Sequence, residues 1–248
     1  MKNYYYIIAF VALLNFSCGN KKEDKTVVET KAVVEKEIDI EGLSYKLLFD
    51  GIKSESVYDQ VIATYATNRL GNPKKAMSMD GLGQYAKIDN HDKINPKDGI
   101  TLSLWYKPIS FKGSGNNPLV AKYYSENKAP FFQYFIGVTG NEYTKYQGSI
   151  KFALSINGKY HYIQTKNNTL TPNEWYNITA TYDGKSMKLY VNGEIITNRT
   201  VVGKLDVYNS DLFIGKSFDD KVNTPGTYDN FMIFNKALNN QEIEKLVL

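Results

Sequence analysis

The sequence predicts an all-β fold: a two-sheet antiparallel jelly-roll sandwich ending in one short C-terminal helix. Three observations carry this expectation. Apolar side chains recur at every second position over successive segments, which is the period of a strand with one face in a core. Asn-Gly and Asp-Gly dipeptides separate those segments at hairpin spacing, where the turn needs residues that tolerate positive φ. No stretch alternates helix with strand as a parallel sheet requires, and many short antiparallel strands are stable as two packed sheets.

The N-terminal region reads as a leader and tether. Lys2 precedes an apolar run of 11 residues, Tyr4 to Leu14, long enough for a signal-peptide core and too short to span a bilayer. Residues 1–17 are therefore expected to be a signal peptide. Small Ser17 precedes Cys18, the one cysteine of the chain, so no intramolecular disulfide can form and the fold must rest on its core. Leu14-Asn15-Phe16-Ser17-Cys18 resembles a bacterial lipobox, although Asn15 stands where leucine is usual. That resemblance implies lipidation of Cys18 and membrane attachment through the N-terminal lipid rather than a spanning segment. Lys22-Glu23-Asp24 is similar to the surface-export signal of Bacteroidetes lipoproteins. The expected address is thus the outer membrane, exposed at the cell surface, with its periplasmic face as the alternative.

Residues 19–41 hold five lysines and seven acids. So charged a stretch, with few core-forming side chains, reads as a tether over residues 18–41. The remaining residues, 42–248, suit one β domain that buries a sizeable core unaided. The whole chain carries +4, spread out rather than gathered into a basic stripe, which argues against nucleic acid as a partner.

Within that domain, Thr101 to Tyr106 alternates, with Leu102, Leu104 and Tyr106 on one face. In Ser149 to Ile156 the side chains of Ile150, Phe152, Leu154 and Ile156 point one way. Asn157-Gly158 then turns the chain into Lys159 to Thr165, where Tyr160, Tyr162 and Gln164 share a face. Trp175 to Tyr182 is aromatic and β-branched and turns at Asp183-Gly184 into Met187 to Val191. Asn192-Gly193 turns it again into Glu194 to Thr197. Further strands are expected at Leu212 to Ile214 and Asp229 to Asn235. Asn239 to Val247 has helical character, with Asn239 or Asn240 as N-cap.

Several of these segments, taken in order, resemble one family. Asn68-Arg69-Leu70-Gly71-Asn72-Pro73 followed by Ala76-Met77-Ser78-Met79-Asp80-Gly81 is similar to an early "D-R-x-G-N … A-x-x-F-D-G" pattern. Thr101 to Lys107 resembles "T-x-S-x-W-V-K", and Trp175 to Gly184 resembles "W-x-H-V-A-x-T-Y-D-G". Tyr228 to Leu238 is similar to "I-D-D-V-R-I-Y-N-R-A-L". These are features of LamG-like jelly-roll domains in the concanavalin A-like lectin/glucanase superfamily. The chain departs from the pattern at Asn68, Met79 and Asn230. The fold hosts lectins, glycan-binding modules, hydrolases, lyases and spacers, so the resemblance implies architecture more than activity.

The resemblance also implies a structural calcium ion between the N-terminal region and the last strand. Asp229 is the matching acid, and Asp50 and Asp80 are its candidate partners, supplying the hard oxygen ligands Ca²⁺ prefers. Glu37-Ile38-Asp39-Ile40-Glu41 resembles the "E-I-D-I-x-E" motif of laminarinase-like enzymes, which need two closely spaced carboxylates. Its position at the end of a charged tether argues against catalysis. The two histidines, His91 and His161, have no cysteine or histidine partners at zinc-binding spacing, and no nucleophile elbow is present. No catalytic residue is therefore expected.

Residues 123–147 concentrate Tyr123, Tyr124, Phe131, Phe132, Tyr134, Tyr143 and Tyr146 among amides and glycines. Such a composition suits a sugar, whose apolar ring face stacks on an aromatic, and equally a protein interface. Phe132, Tyr134 and Ile136 are expected in the core; Tyr143, Tyr146, Tyr160 and Tyr162 are the candidate ligand-binding residues. The expected function is a surface-anchored, non-catalytic module for a glycan or polysaccharide. The alternatives are a glycoside hydrolase or polysaccharide lyase on the same fold, or an adhesion lipoprotein whose partner is an extracellular protein.

Overall fold

The computed structural model describes residues 37–49, 59–111, 115–126, 128–140, 147–218 and 223–248. The leader, Cys18, most of the tether, Asp50, Tyr143 and Tyr146 lie outside the described residues. The first half contributes β1 (Leu43–Leu47), β2 (Asp59–Ile62), β3 (Thr64–Ala66), β4 (Ala76–Met79), β5 (Tyr85–Ile88), β6 (Ile100–Pro108) and β7 (Asn116–Tyr123). After these come β8 (Phe132–Thr139), β9 (Ile150–Ile156), β10 (Lys159–Gln164), β11 (Tyr176–Tyr182) and β12 (Ser186–Val191). The chain ends with β13 (Glu194–Thr200), β14 (Leu212–Ile214), β15 (Gly226–Phe234) and the helix α1 (Asn240–Val247).

Among the described residues the strands form two antiparallel sheets. An eight-stranded sheet runs β13-β12-β11-β6-β15-β4-β3, with β1 also paired to β15. A seven-stranded sheet runs β10-β9-β8-β7-β14-β5-β2. The expected two-sheet sandwich with one short C-terminal helix is what the chain adopts.

The alternation read from the sequence selects the inward faces. Leu102, Leu104 and Tyr106 from one sheet, and Ile150, Phe152, Leu154 and Ile156 from the other, all enter one central core. Fully burying each such side chain is worth about 1.5–3 kcal/mol, and these gains must offset the chain's ordering entropy. The larger core positions use tyrosine where a hydroxyl can reach a carbonyl at the margin. The Tyr106 and Tyr228 rings lie 5.0 Å apart, and their hydroxyls donate to Pro225 O and Thr224 O, both at 2.9 Å. Tyr134 donates to Ile94 O at 3.1 Å. A buried phenol left unbonded would forfeit its hydration.

Turn chemistry accounts for the hairpins. Asn157 and Gly158, and Asn192 and Gly193, all have positive φ, as a two-residue type I′ connection demands. At the β11–β12 turn only Gly184 does. Asp183 instead accepts hydrogen bonds from the N–H groups of Lys185 and Ser186 at 2.9 and 2.7 Å, an Asx turn. Asn230 also has positive φ (48°) and lies in a register shift of β15 between Asp229 and Met232. Asn tolerates this left-handed conformation better than most residues. The departure from the family pattern at position 230 thus falls on a β-bulge.

One core expectation is corrected. Tyr134 and Ile136 are in the central core, whereas Phe132 packs on the opposite face of the seven-stranded sheet. Between the pairs Lys122–Tyr134 and Tyr123–Phe132, β8 advances two residues while β7 advances one. This bulge turns Phe132 onto the face of Tyr123. Helix α1 starts where expected: the Asn239 side chain accepts from the Glu242 N–H, and Glu242 accepts from the Asn239 N–H, closing a capping box.

Candidate functional site

The outward face of the seven-stranded sheet carries a continuous row of aromatic rings. The residues that alternate with the core positions on β7, β8 and β9, namely Ala121, Tyr123, Phe135 and Ala153, form a cluster of their own with Phe132, Tyr160 and Phe213. Ring centroids step from Tyr162 to Tyr160 (5.7 Å), Tyr160 to Phe132 (6.5 Å) and Phe132 to Tyr123 (5.2 Å). The row continues from Tyr123 to Phe213 (6.2 Å) and from Phe213 to Tyr85 (6.3 Å). It therefore crosses the sheet from β10 to β5.

Small residues leave room for the row. Phe135 lies over Gly137, where a Cβ would come within 2.2 Å of the ring. Phe132 in turn covers Phe135, with centroids 4.5 Å apart. Tyr123, Phe131, Phe132, Phe135 and Phe218 line a cleft of about 330 Å³ with Asn116, Ser125, Glu126 and Ser217 at its polar margin. Apolar walls with a few polar groups suit a small or extended organic ligand.

Several rings remain accessible: Tyr162 is 44% exposed and Phe218 51%. Burial and the neighbouring Tyr162 push the Tyr160 phenol up to about 12, so it stays a neutral donor at physiological pH. Two lysines sit on the ends of the row. Lys151 Nζ is 4.9 Å from the Tyr162 ring centroid, and Lys216 Nζ is 3.9 Å from that of Tyr85. Beside the row, Tyr124 stacks on Tyr208 at 4.3 Å. The Ser155 hydroxyl bonds both the Asp206 carboxylate and the Tyr208 hydroxyl.

Of the four tyrosines expected to bind ligand, Tyr160 and Tyr162 are brought together on this face. Phe135 lies within the aromatic stretch 123–147, whereas Phe213, Phe218 and Tyr85 were not anticipated, because they come from separate segments. Two of those segments do alternate: Tyr85 precedes core residue Ala86, and Phe213 lies between core residues Leu212 and Ile214. His161 pairs with Leu154 on the inward side of β10, away from Tyr160 and Tyr162. Its pKa is lowered by burial and then by the charges of Arg199 and Lys159. A shared Tyr–His acid–base pair is therefore not formed on that strand.

The acids lie elsewhere. Asp229 is fully buried on the outward face of the eight-stranded sheet, its Oδ2 3.4 Å from Arg69 Nη1. Arg69 also lies over the Trp105 ring at 4.7 Å. Asp80 accepts from the Leu82 N–H at 2.7 Å, capping its own turn. Glu37, Asp39 and Glu41 are exposed, while Ile38 and Ile40 pack against the cluster beneath α1. Glu37 to Ile40 line a separate cleft of about 210 Å³ with Arg69, Lys245, Leu246 and Leu248. His91 precedes the short 3-10 turn Asp92–Ile94, with its ring 5.7 Å from that of Tyr45. Among the described residues, no three His, Cys, Asp or Glu side chains gather in a way that could hold a metal ion.

Comparison with known proteins bears on the fold. A family model described as the concanavalin A-like lectin/glucanases superfamily matches residues 80–244. Pappalysin-1 of Homo sapiens is 27% identical over 156 residues, 56% of this chain and 9% of that protein. The chain thus spans under a tenth of the curated relative it matches.

Among solved structures, the binding domain of botulinum neurotoxin serotype G superposes with a TM-score of 0.61 at 16% identity. The serotype D ligand-binding domain, solved in complex with N-acetylneuraminic acid, gives 0.60 at 16%. In both cases 83% of this chain covers 50% of the other. Domain 4 of AbnA, a GH43 extracellular arabinanase from Geobacillus stearothermophilus in complex with arabinotriose, gives 0.60 at 15% identity. There 83% of this chain covers 98% of that chain. At these identities the likeness is one of fold.

Proposed function

The chain belongs to the concanavalin A-like lectin/glucanases superfamily, and from that premise we propose that it is a non-catalytic module binding a glycan or polysaccharide. The observation that carries this reading is the aromatic row across the outward face of the seven-stranded sheet, with its cleft. Aromatic faces complement the apolar faces of sugar rings, and the amide, hydroxyl and carboxylate groups at the margin supply directional hydrogen bonds. The sialic acid complex of the serotype D toxin domain and the arabinotriose complex of the arabinanase domain support the reading by analogy of fold.

A glycan array probed with residues 19–248, with calcium and with chelator, tests it, followed by assay of any hit for released sugars. Binding without product is the expected outcome. Released sugar would favour a hydrolase or lyase, and the absence of any hit would favour a protein partner. Calcium-dependent binding or melting would support a structural Ca²⁺ near Asp229, with Asp80 and Asp50 as further ligands; insensitivity to chelator would remove it.

The same proposal places the module on the outer membrane, held by lipid on Cys18 after loss of residues 1–17. Exchange of Cys18 for Ser is expected to release the protein from the membrane fraction, and protease added to intact cells is expected to degrade the wild-type chain.

A further inference from the structure

Resting on the reading of this face as a glycan site, we propose that the cleft walled by Tyr123, Phe131, Phe132 and Phe218 holds an ammonium group carried by the glycan, with Glu126 as its counter-ion. The ligand is then a glycan that bears unacetylated amines or N-methylated substituents.

The ring geometry favours such a group. Tyr123 and Phe132 have centroids 5.2 Å apart and planes inclined by 46°. Tyr123 and Phe218 lie 5.3 Å apart at 69°, and Phe131 and Phe132 lie 6.5 Å apart at 52°. Planes so inclined make walls rather than one level shelf. A level shelf suits the flat face of a sugar ring, whereas inclined walls suit a compact group that touches several rings at once. The negative π faces of those rings attract a cation. A volume of about 330 Å³ admits an alkylammonium together with part of the sugar that carries it.

The charges point the same way. Among the described residues lining the cleft, Glu126 is the one charged side chain, and its polar companions Asn116, Ser125 and Ser217 are neutral. Elsewhere on the same sheet face, rings already hold ammonium groups of this chain. Lys216 Nζ lies 3.9 Å from the Tyr85 centroid and 5.3 Å from that of Phe213, and Lys151 Nζ lies 4.9 Å from that of Tyr162. None of those three rings lines the cleft. The cleft therefore offers more ring walls than either lysine meets, adds a carboxylate, and has no lysine or arginine among its described lining residues. A ligand ammonium completes there the arrangement that lysines make at the ends of the row, with a charge-assisted contact to Glu126 besides.

Titration calorimetry of the full-length chain with glucosamine oligomers and with their N-acetylated counterparts tests this, because the two differ in charge on one backbone. The glucosamine oligomer is expected to bind about tenfold more tightly, the scale of an ammonium set against ring faces and a carboxylate. That preference should vanish when the pH is raised until the amines lose their protons. Glu126→Gln and Phe218→Leu should each cut it about fivefold. Both side chains are exposed, so the melting temperature should not change. Glu126→Asp and Phe218→Tyr should keep most of the preference. Choline, set against its uncharged carbon isostere, separates the two sources of the charge: tighter binding of choline than of glucosamine would assign the ammonium to an N-methylated substituent. Equal or tighter binding of the N-acetylated oligomer and of the uncharged isostere would overturn the ammonium proposal and leave the glycan site standing. So would an undiminished preference in both Glu126→Gln and Phe218→Leu. Failure of both cations to bind would also overturn it, and the glycan reading would fall with it only if the glycan array gave no hit.

Discussion

On the outward face of the eight-stranded sheet, Tyr190, Met232 and Phe234 lie in a cluster with Ile243 and Leu246 of α1 and with Ile40 from the N-terminal side. On the outward face of the seven-stranded sheet, Tyr123, Phe132, Tyr160 and Phe213 form a comparable apolar cluster. Among the described residues no helix lies over that second cluster. Both faces are too apolar to be ordinary solvated sheet surfaces. The first is covered by the chain's own C-terminus. The second keeps rings such as Tyr162 and Phe218 at the surface.

Polar groups follow the same division. Beneath the covered face, Thr179 donates to Asn177 Oδ1 at 2.8 Å and accepts from the Ser103 hydroxyl at 3.0 Å, and Asn177 Nδ2 donates to Ser103 at 3.3 Å. This buried network satisfies itself, as a structural interior must. Around the open face the polar groups form a margin of Asn116, Ser125, Glu126 and Ser217. Covered apolar surface contributes stability, and open apolar surface is available to a ligand.

Truncating the covering helix should give the largest effect. Leu246→Ala, at a fully packed position, is expected to cost about 2–5 kcal/mol in urea unfolding. The glycan affinity of the folded fraction should be unchanged. If affinity fell in step with stability, the two faces would not be independent. Tyr162→Ala is the converse. Stability should move by no more than about 0.5 kcal/mol, while removing an exposed stacking ring should weaken glycan binding by about 1 kcal/mol in titration calorimetry.

The smallest effect is expected from acid. Glu242 is held below its ordinary carboxylate value by its hydrogen bond with Lys236, and then by the Asn239 N–H. With the folded pKa below the unfolded one, its contribution is fully present above about pH 4.5 and is lost as pH falls through the folded value. Protection of the α1 amides, taken relative to the intrinsic exchange rate at each pH, should therefore fall as the solution is acidified below about pH 4.5, before that of β7 and β8 does.

Local rules made much of the architecture legible. The type I′ turns at Asn157-Gly158 and Asn192-Gly193, the alternation on β6 and β9, and the Asn239 cap each depend on a few neighbouring residues, so the sequence alone determined them. Because a strand's faces alternate strictly, the core positions of β6 and β9 followed as well. Phe132 was misplaced because its face depends on a bulge, and a bulge depends on the partner strand. The aromatic row was visible only in part, through Tyr160 and Tyr162 on one strand and Tyr123 and Phe132 in the stretch 123–147, because its members come from β5, β7, β8, β10 and β14. Which strands become neighbours is settled by long-range pairing and packing, so only the tertiary structure could align Tyr85 and Phe213 with Tyr123. For the same reason, only the folded chain decided which outward face α1 would cover and which it would leave open.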